Sequence, residues 1–130
     1  MRVIKNFRIF RAQRIARNGD FDRARKIVLS LISQYPSSVG YNIFLADIEL
    51  FSGNLAEALE QYEISKEILE DRPEISNHNR RYYTAYVSFR TTAIKFKNAD
   101  QEWSNWMEAA KLIEGLSADR NIKRLLLPPI

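Results

Sequence analysis

One histidine and a series of glutamates are the side chains of this sequence that could carry acid–base or metal chemistry. His78 is the only histidine among the 130 residues, and the chain contains no cysteine. Zinc sites combine several histidine, cysteine or carboxylate ligands, and His78 has neither a thiolate nor a second histidine to join it. Three roles for His78 remain open: an exposed residue near the start of a helix, a buried hydrogen-bonded residue, or a catalytic residue.

Glutamates in the middle of the chain recur every three or four residues, which is the spacing of one helix face. Paired carboxylates can act as general acid and base, but an evenly spaced strip is typical of a solvated surface. The sequence has no glycine-rich phosphate-binding loop and no serine nucleophile motif. We therefore expect no enzyme activity, no metal site and no cofactor. The strip consists of Glu57, Glu60, Glu63, Glu67 and Glu70.

Charge is divided unequally along the chain. Residues 1–26 carry nine basic and two acidic side chains, a net charge of +7, whereas residues 27–74 carry two basic and nine acidic side chains, a net charge of −7. The whole chain has a net charge of +4. A basic end beside an acidic middle is informative about association with partners and not about fold.

The basic N-terminal helix has three interpretations. It is a solvated face, or it docks on the acidic middle of another copy, or it contacts nucleic-acid phosphates through its arginines. Head-to-tail docking between copies would close into a ring or grow into a filament, whereas an isologous contact would make a dimer. The residues assigned to self-association or nucleic-acid binding are Arg8, Arg11 and Arg14.

Apolar residues at three- and four-residue spacing predict a series of amphipathic helices. Gly19 and Gly53 end helices in the left-handed conformation, Asp20 caps the helix that follows, and Asn54 and Glu57 form a capping box. The third helix is apolar on most of its circumference, which predicts a central element with neighbours on both sides. Helices are expected over about 3–18, 21–34, 38–52, 55–70, 75–97 and 101–115.

Segments 19–24 and 53–58 are near copies, 34 residues apart, with their glycine and alanine in register. This period resembles the tetratricopeptide repeat family of helix–turn–helix units. The resemblance covers residues 5–72, and over 75–116 it rests on spacing alone. It departs from the family pattern at Arg8 and Arg11, where large apolar residues are usual, and at the displaced Pro73. The matching residues are Ala12, Gly19, Phe21, Ala24, Val28 and Pro36 in the first unit and Leu45, Ala46, Gly53, Leu55, Ala58 and Tyr62 in the second.

The resemblance implies an all-α domain spanning residues 1–130. Its fold would be a right-handed superhelix of about three antiparallel hairpins, at about 3–36, 37–72 and 75–116, with a C-terminal cap over 117–130. Family members usually bind a peptide or a partner protein on a concave face, so we expect a non-catalytic scaffold or adaptor. The lining positions carried over are Asn6, Ile9, Gln13, Arg17, Ile43, Asp47, Leu50 and Phe51.

Two alternative functions stay open. The first is a nucleic-acid-binding helical repeat that uses the basic N-terminal helix, including Arg17. The second is an inhibitor or immunity-type protein that masks a basic partner with the glutamate strip. The aromatic residues of the third hairpin are either its core or an exposed anchor for a partner; they are Tyr82, Tyr83, Tyr86, Trp103 and Trp106.

A cytoplasmic protein without a membrane segment is the expected location. Forty-five per cent of the residues are hydrophobic and 28% are charged, which is typical of a folded globular domain. No apolar stretch has the length needed to span a bilayer, and residues 1–19 lack the apolar segment of a secretory signal. The Arg-rich, acid-free residues 3–18 are also typical of a mitochondrial presequence, but the first hairpin requires them as its first helix.

Overall fold

The computed structural model describes residues 2–95, with side chains from residue 7 onward, and this part of the chain forms five α-helices. The prediction of an all-α protein is confirmed for these residues, and every helix end lies within about two residues of its predicted position. The predicted sixth helix over 101–115 and the cap over 117–130 lie outside the described residues. The helices are α1 (Arg2–Arg17), α2 (Phe21–Gln34), α3 (Val39–Phe51), α4 (Leu55–Asp71) and α5 (Asn77–Lys95).

The turn from α1 to α2 and the turn from α3 to α4 have the same backbone structure. In each turn the glycine amide donates to the carbonyl three residues earlier and the next amide donates to the carbonyl five residues earlier, which is the Schellman motif. Gly19 has a φ of +89° and Gly53 has a φ of +91°. The 34-residue period of the sequence therefore corresponds to one turn built twice. The hydrogen bonds are Gly19 to Ala16 (2.9 Å), Asp20 to Ile15 (3.2 Å), Gly53 to Leu50 (3.1 Å) and Asn54 to Glu49 (2.8 Å).

Side-chain caps begin two of the helices. The Asp20 carboxylate accepts from the Arg23 amide at 3.3 Å, and the hydroxyl of Ser38 accepts from the Tyr41 amide at the start of α3. The capping box predicted for Asn54 is wrong, because the Asn54 side chain accepts no hydrogen bond at the start of α4. Its Nδ2 donates instead to the hydroxyl of Ser52 at 3.3 Å.

Each helix packs against the next one along the chain, and α3 is the central element. One apolar cluster joins α1, α2 and α3, and a second joins α3, α4 and α5. Residues 39–48 of α3 are all buried, which confirms the prediction that this helix has neighbours on both sides. Small residues at equivalent repeat positions allow close helix approach, and all four are fully buried: Ala12, Ala24, Ala46 and Ala58.

The repeat does not continue into α5. Position 87, which lies 34 residues after Gly53, is Val87, a buried residue inside α5. The helix is described over 19 residues, whereas α3 has 13. Among the described residues, the helices are too short or too polar to cross a membrane.

Candidate functional site

A buried polar cluster joins α3, α4 and α5. Asp47 lies in the middle of α3 and is fully buried. The hydroxyl of Tyr62 from α4 donates to Asp47 Oδ1 at 2.5 Å, and the hydroxyl of Tyr86 from α5 donates to Asp47 Oδ2 at 2.7 Å. Arg90, one turn further along α5, donates from Nη2 to the Tyr86 hydroxyl at 2.7 Å. Both carboxylate oxygens of Asp47 are thus engaged by tyrosines from two different helices.

Arg90 supplies the positive charge of this cluster. Its Nε lies 3.8 Å from Asp47 Oδ1, and both side chains are fully buried. The guanidinium carbon lies 4.9 Å from the centre of the Tyr86 ring and 5.2 Å from the centre of the Phe51 ring. Aromatic faces attract a cation at such distances, so these rings partly replace the water that a buried guanidinium loses.

Burial changes the acid–base properties of the cluster. Desolvation, reinforced by the negative charge of Asp47, raises the pKa of Tyr62 well above its ordinary value. Desolvation also raises the pKa of Tyr86 well above 10, against the opposing charge of Arg90. Burial by itself would lower the pKa of Arg90, but Tyr86 and Asp47 more than offset it and raise that pKa. The two phenols therefore stay protonated as donors, and the guanidinium stays charged.

The geometry of the cluster gives it a structural role. Asp47, Tyr62 and Arg90 each have a relative exposure of 0%, so a substrate in solution has no contact with them. Removing one charge of such a pair leaves the other buried without compensation. The cluster therefore fixes the relative positions of α3, α4 and α5.

Four of the eight predicted groove-lining residues are buried, which corrects the expectation that they form an open surface. Ile9, Gln13, Ile43 and Asp47 have relative exposures of at most 4%. Ile9 belongs to the α1–α2–α3 cluster, and the α5 side chains Tyr86 and Arg90 cover Asp47. The remaining positions differ: Arg17 is exposed, Leu50 and Phe51 are half-buried, and the side chain of Asn6 lies outside the described residues.

The outer face of α1 is open and basic. Phe7, Arg11, Arg14 and Asn18 recur every three or four residues and are all exposed, and Phe7 has a relative exposure of 66%. Arg8 points to α2, where its guanidinium donates to Ser30 Oγ at 2.7 Å and to Gln34 Oε1 at 3.3 Å. The arginines assigned to self-association or nucleic-acid binding thus divide into Arg8, which is bound to α2, and two that face solvent.

The outer face of α4 is open and acidic. All five glutamates of the predicted strip are exposed, whereas the opposite face of α4 is buried against α3 and α5. None of these five glutamates forms an ion pair with another residue in the described part of the chain. The buried face consists of Ala58, Tyr62, Ser65 and Leu69.

The remaining candidate residues have assigned positions. His78 is exposed in the first turn of α5, which agrees with the first of its three predicted roles. Tyr82, Tyr83 and Tyr86 are buried, so they belong to the core and do not form an exposed anchor. Trp103 and Trp106 lie outside the described residues. Within residues 7–95, the structure contains no group of three histidine or carboxylate side chains placed to bind a metal ion.

Arg90 and its bond to Tyr86 were missed by the sequence reasoning. One available signal was the lone acid Asp47 within the apolar α3, exactly one repeat after the buried Gln13. A second was the four-residue spacing of Tyr86 and Arg90, which puts them on one helix face. A comparison of the chain with protein families, curated proteins and solved structures returned no match.

Proposed function

We propose that this chain is a non-catalytic protein–protein interaction module built from tetratricopeptide-like hairpins arranged in a right-handed superhelix. The observation that carries the proposal is the Schellman turn, which recurs after 34 residues with the same hydrogen bonds. Buried alanines at equivalent positions of both hairpins add support. The family that this pattern resembles acts by binding peptides and proteins. We also propose a cytoplasmic location, since a cysteine-free chain suits a reducing compartment.

The partner contacts the outer faces of α1 and α4 in this proposal. These faces are exposed and opposite in charge, whereas half of the positions that line a groove in the related family are buried here. Arg17 and the half-buried Leu50 and Phe51, at the ends of α1 and α3, extend the available surface. An acidic helix face of this kind also fits a basic partner, as an inhibitor or immunity-type protein would require.

A nucleic-acid ligand is the second candidate, and the exposed arginines of α1 favour it. Arg11, Arg14 and Arg17 face solvent, and arginine–phosphate contacts give binding that falls steeply with salt. Phe7 is the exposed aromatic residue on this face, so stacking on bases would depend on one ring.

A pull-down distinguishes the two candidates. The tagged chain is incubated with source-cell extract at physiological salt, with and without nuclease, and retained proteins are identified by mass spectrometry. We expect a few proteins that survive nuclease and are lost with Glu63→Arg/Glu67→Arg or with Arg11→Glu/Arg14→Glu. Partners that disappear with nuclease would instead support the nucleic-acid function. Catalytic turnover that depends on His78 would overturn the non-catalytic proposal.

A further inference from the structure

The outer face of α1 occupies the position that is covered in the next repeat. Its residues lie 34 positions before a face of α3 that is buried in the α1–α2–α3 cluster. In α3 the preceding hairpin covers this face, whereas in α1 it is open. The outer face of α1 is therefore the end of the stack, where a further helical element would pack. The equivalent pairs are Phe7 and Tyr41, Phe10 and Phe44, Arg11 and Leu45, and Arg14 and Ile48.

The residue types on this face determine what can cover it. Arg11 and Arg14 stand where α3 has Leu45 and Ile48, so an apolar helix would bury two guanidinium groups without compensation. A helix with carboxylates at matching spacing would pair with them instead. The exposed ring of Phe7 adds an apolar contact at the edge of the face.

The acidic face of α4 has the required charge and spacing. Glu60, Glu63 and Glu67 are exposed on one side of α4, and they span about 10 Å along the helix axis. Arg11 to Arg17 spans about 9 Å on α1. Both faces are exposed within one chain, so only another molecule brings them into contact.

We propose that a second copy of this chain covers the outer face of α1 with the outer face of its α4. This inference rests on the proposed function and names the partner. The two faces are different, so the contact is head-to-tail and leaves one unused face on each end of a dimer. Successive copies therefore form a ring or a filament. Exposed ion pairs are individually weak and are screened by salt, so the assembly dissociates as salt is raised.

Sedimentation velocity of the full chain over a range of protein and salt concentrations tests this proposal. We expect self-association at about 50 mM salt that weakens at least about tenfold by about 500 mM salt. Arg11→Glu/Arg14→Glu and Glu63→Arg/Glu67→Arg should each abolish it, with circular dichroism showing that the variants remain folded. The matched control Arg81→Glu/Lys95→Glu makes the same charge change at exposed positions of α5 and should assemble like the wild type.

Mixing the two charge-reversed variants is the decisive step. Each variant keeps one intact face, and the two intact faces are complementary, so the mixture should form a 1:1 dimer that does not grow further. A mixture that stays monomeric, or a control variant that dissociates equally, would overturn the proposal. A monomeric wild type that retains nuclease-resistant protein partners would overturn this inference and leave the proposed function standing. A monomeric wild type without protein partners would overturn both.

Discussion

Asp47 is the residue at which the fold of this chain depends most on charge. Its carboxylate accepts hydrogen bonds from tyrosines on α4 and α5 and faces the buried guanidinium of Arg90. Tyr86 lies 39 residues away in the sequence, so these contacts form only when the two helices pack. Family resemblance assigned Asp47 to an open groove because the repeat pattern carries no information about the side chains of the irregular α5.

Replacement of Asp47 by alanine should be strongly destabilising. It leaves Arg90 buried without its counter-ion and removes the acceptor of two phenols, so we expect the free energy of unfolding to fall by about 3–5 kcal/mol. Urea denaturation measures this change, and Glu63→Gln on the exposed face of α4 is the control, with a change within about 0.5 kcal/mol. The double variant Asp47→Leu/Arg90→Met should be more stable than Asp47→Leu alone. Equal effects of Asp47→Ala and Glu63→Gln would contradict the buried cluster.

Raising the pH above 10 should also weaken the fold. Tyr62 and Tyr86 have pKa values well above 10 in the folded protein, and burial raises the pKa of Tyr41 to about 12. In the unfolded chain these phenols ionise near pH 10, roughly their unperturbed value. The unfolded state therefore binds fewer protons above that pH, and the free energy of unfolding falls by up to about 1.4 kcal/mol per pH unit for each tyrosine. Below pH 10 the three tyrosines should give no pH dependence.

Urea unfolding at several pH values checks this slope, together with the absorbance titration of the phenols. In the folded protein, three of the six tyrosines should ionise later than the others. Tyr62→Phe should lower the initial stability but reduce the slope by one proton. Ionisation of all the phenols near pH 10 while the chain is still folded would refute the burial of these groups.

At the scale of elements, local sequence signals placed the helices well. Glycine, proline and capping residues act on the backbone beside them, which is why the ends of α1 to α5 were predicted closely. The capping box at Asn54 was not predicted correctly, because a side-chain torsion directs its amide to Ser52. The burial of Ile9 and Gln13 was also missed, since it depends on how neighbouring helices pack.

Gly53 provides a test of the turn between α3 and α4. Its φ of +91° is unfavourable for residues with a side chain, and a Cβ at this position would meet no atom within 4 Å. The penalty therefore comes from the backbone alone. Gly53→Val should lower the free energy of unfolding by well over about 1 kcal/mol, whereas Gly53→Asn should cost less, because asparagine tolerates positive φ.

Gly19→Val makes the same change at the equivalent turn and serves as the matched variant. Both valine variants should show lower urea midpoints of similar size, because the two turns share one hydrogen-bond pattern. A silent Gly53→Val would mean that this turn does not hold the conformation described.

At the scale of the whole molecule, the chain presents charges of opposite sign on different helices. Sequence could predict this division because charged side chains remain exposed on helix faces opposite the core, and the glutamate strip of α4 is confirmed as exposed. The choice of partner could not be predicted, since charge patterns establish complementarity with a surface and not its identity. The two outer faces of α1 and α4 are therefore where the account of function is tested.

Photo-crosslinking in cells tests the central claim most directly, namely that these two faces bind protein. A photo-crosslinking amino acid replaces Arg14 on α1, Glu63 on α4 or, as a control, Arg81 on the exposed side of α5. After irradiation and nuclease treatment, the adducts are identified by mass spectrometry. We predict protein adducts from positions 14 and 63 and none from position 81. Nucleic-acid adducts at position 14, or protein adducts at position 81 alone, would contradict this account.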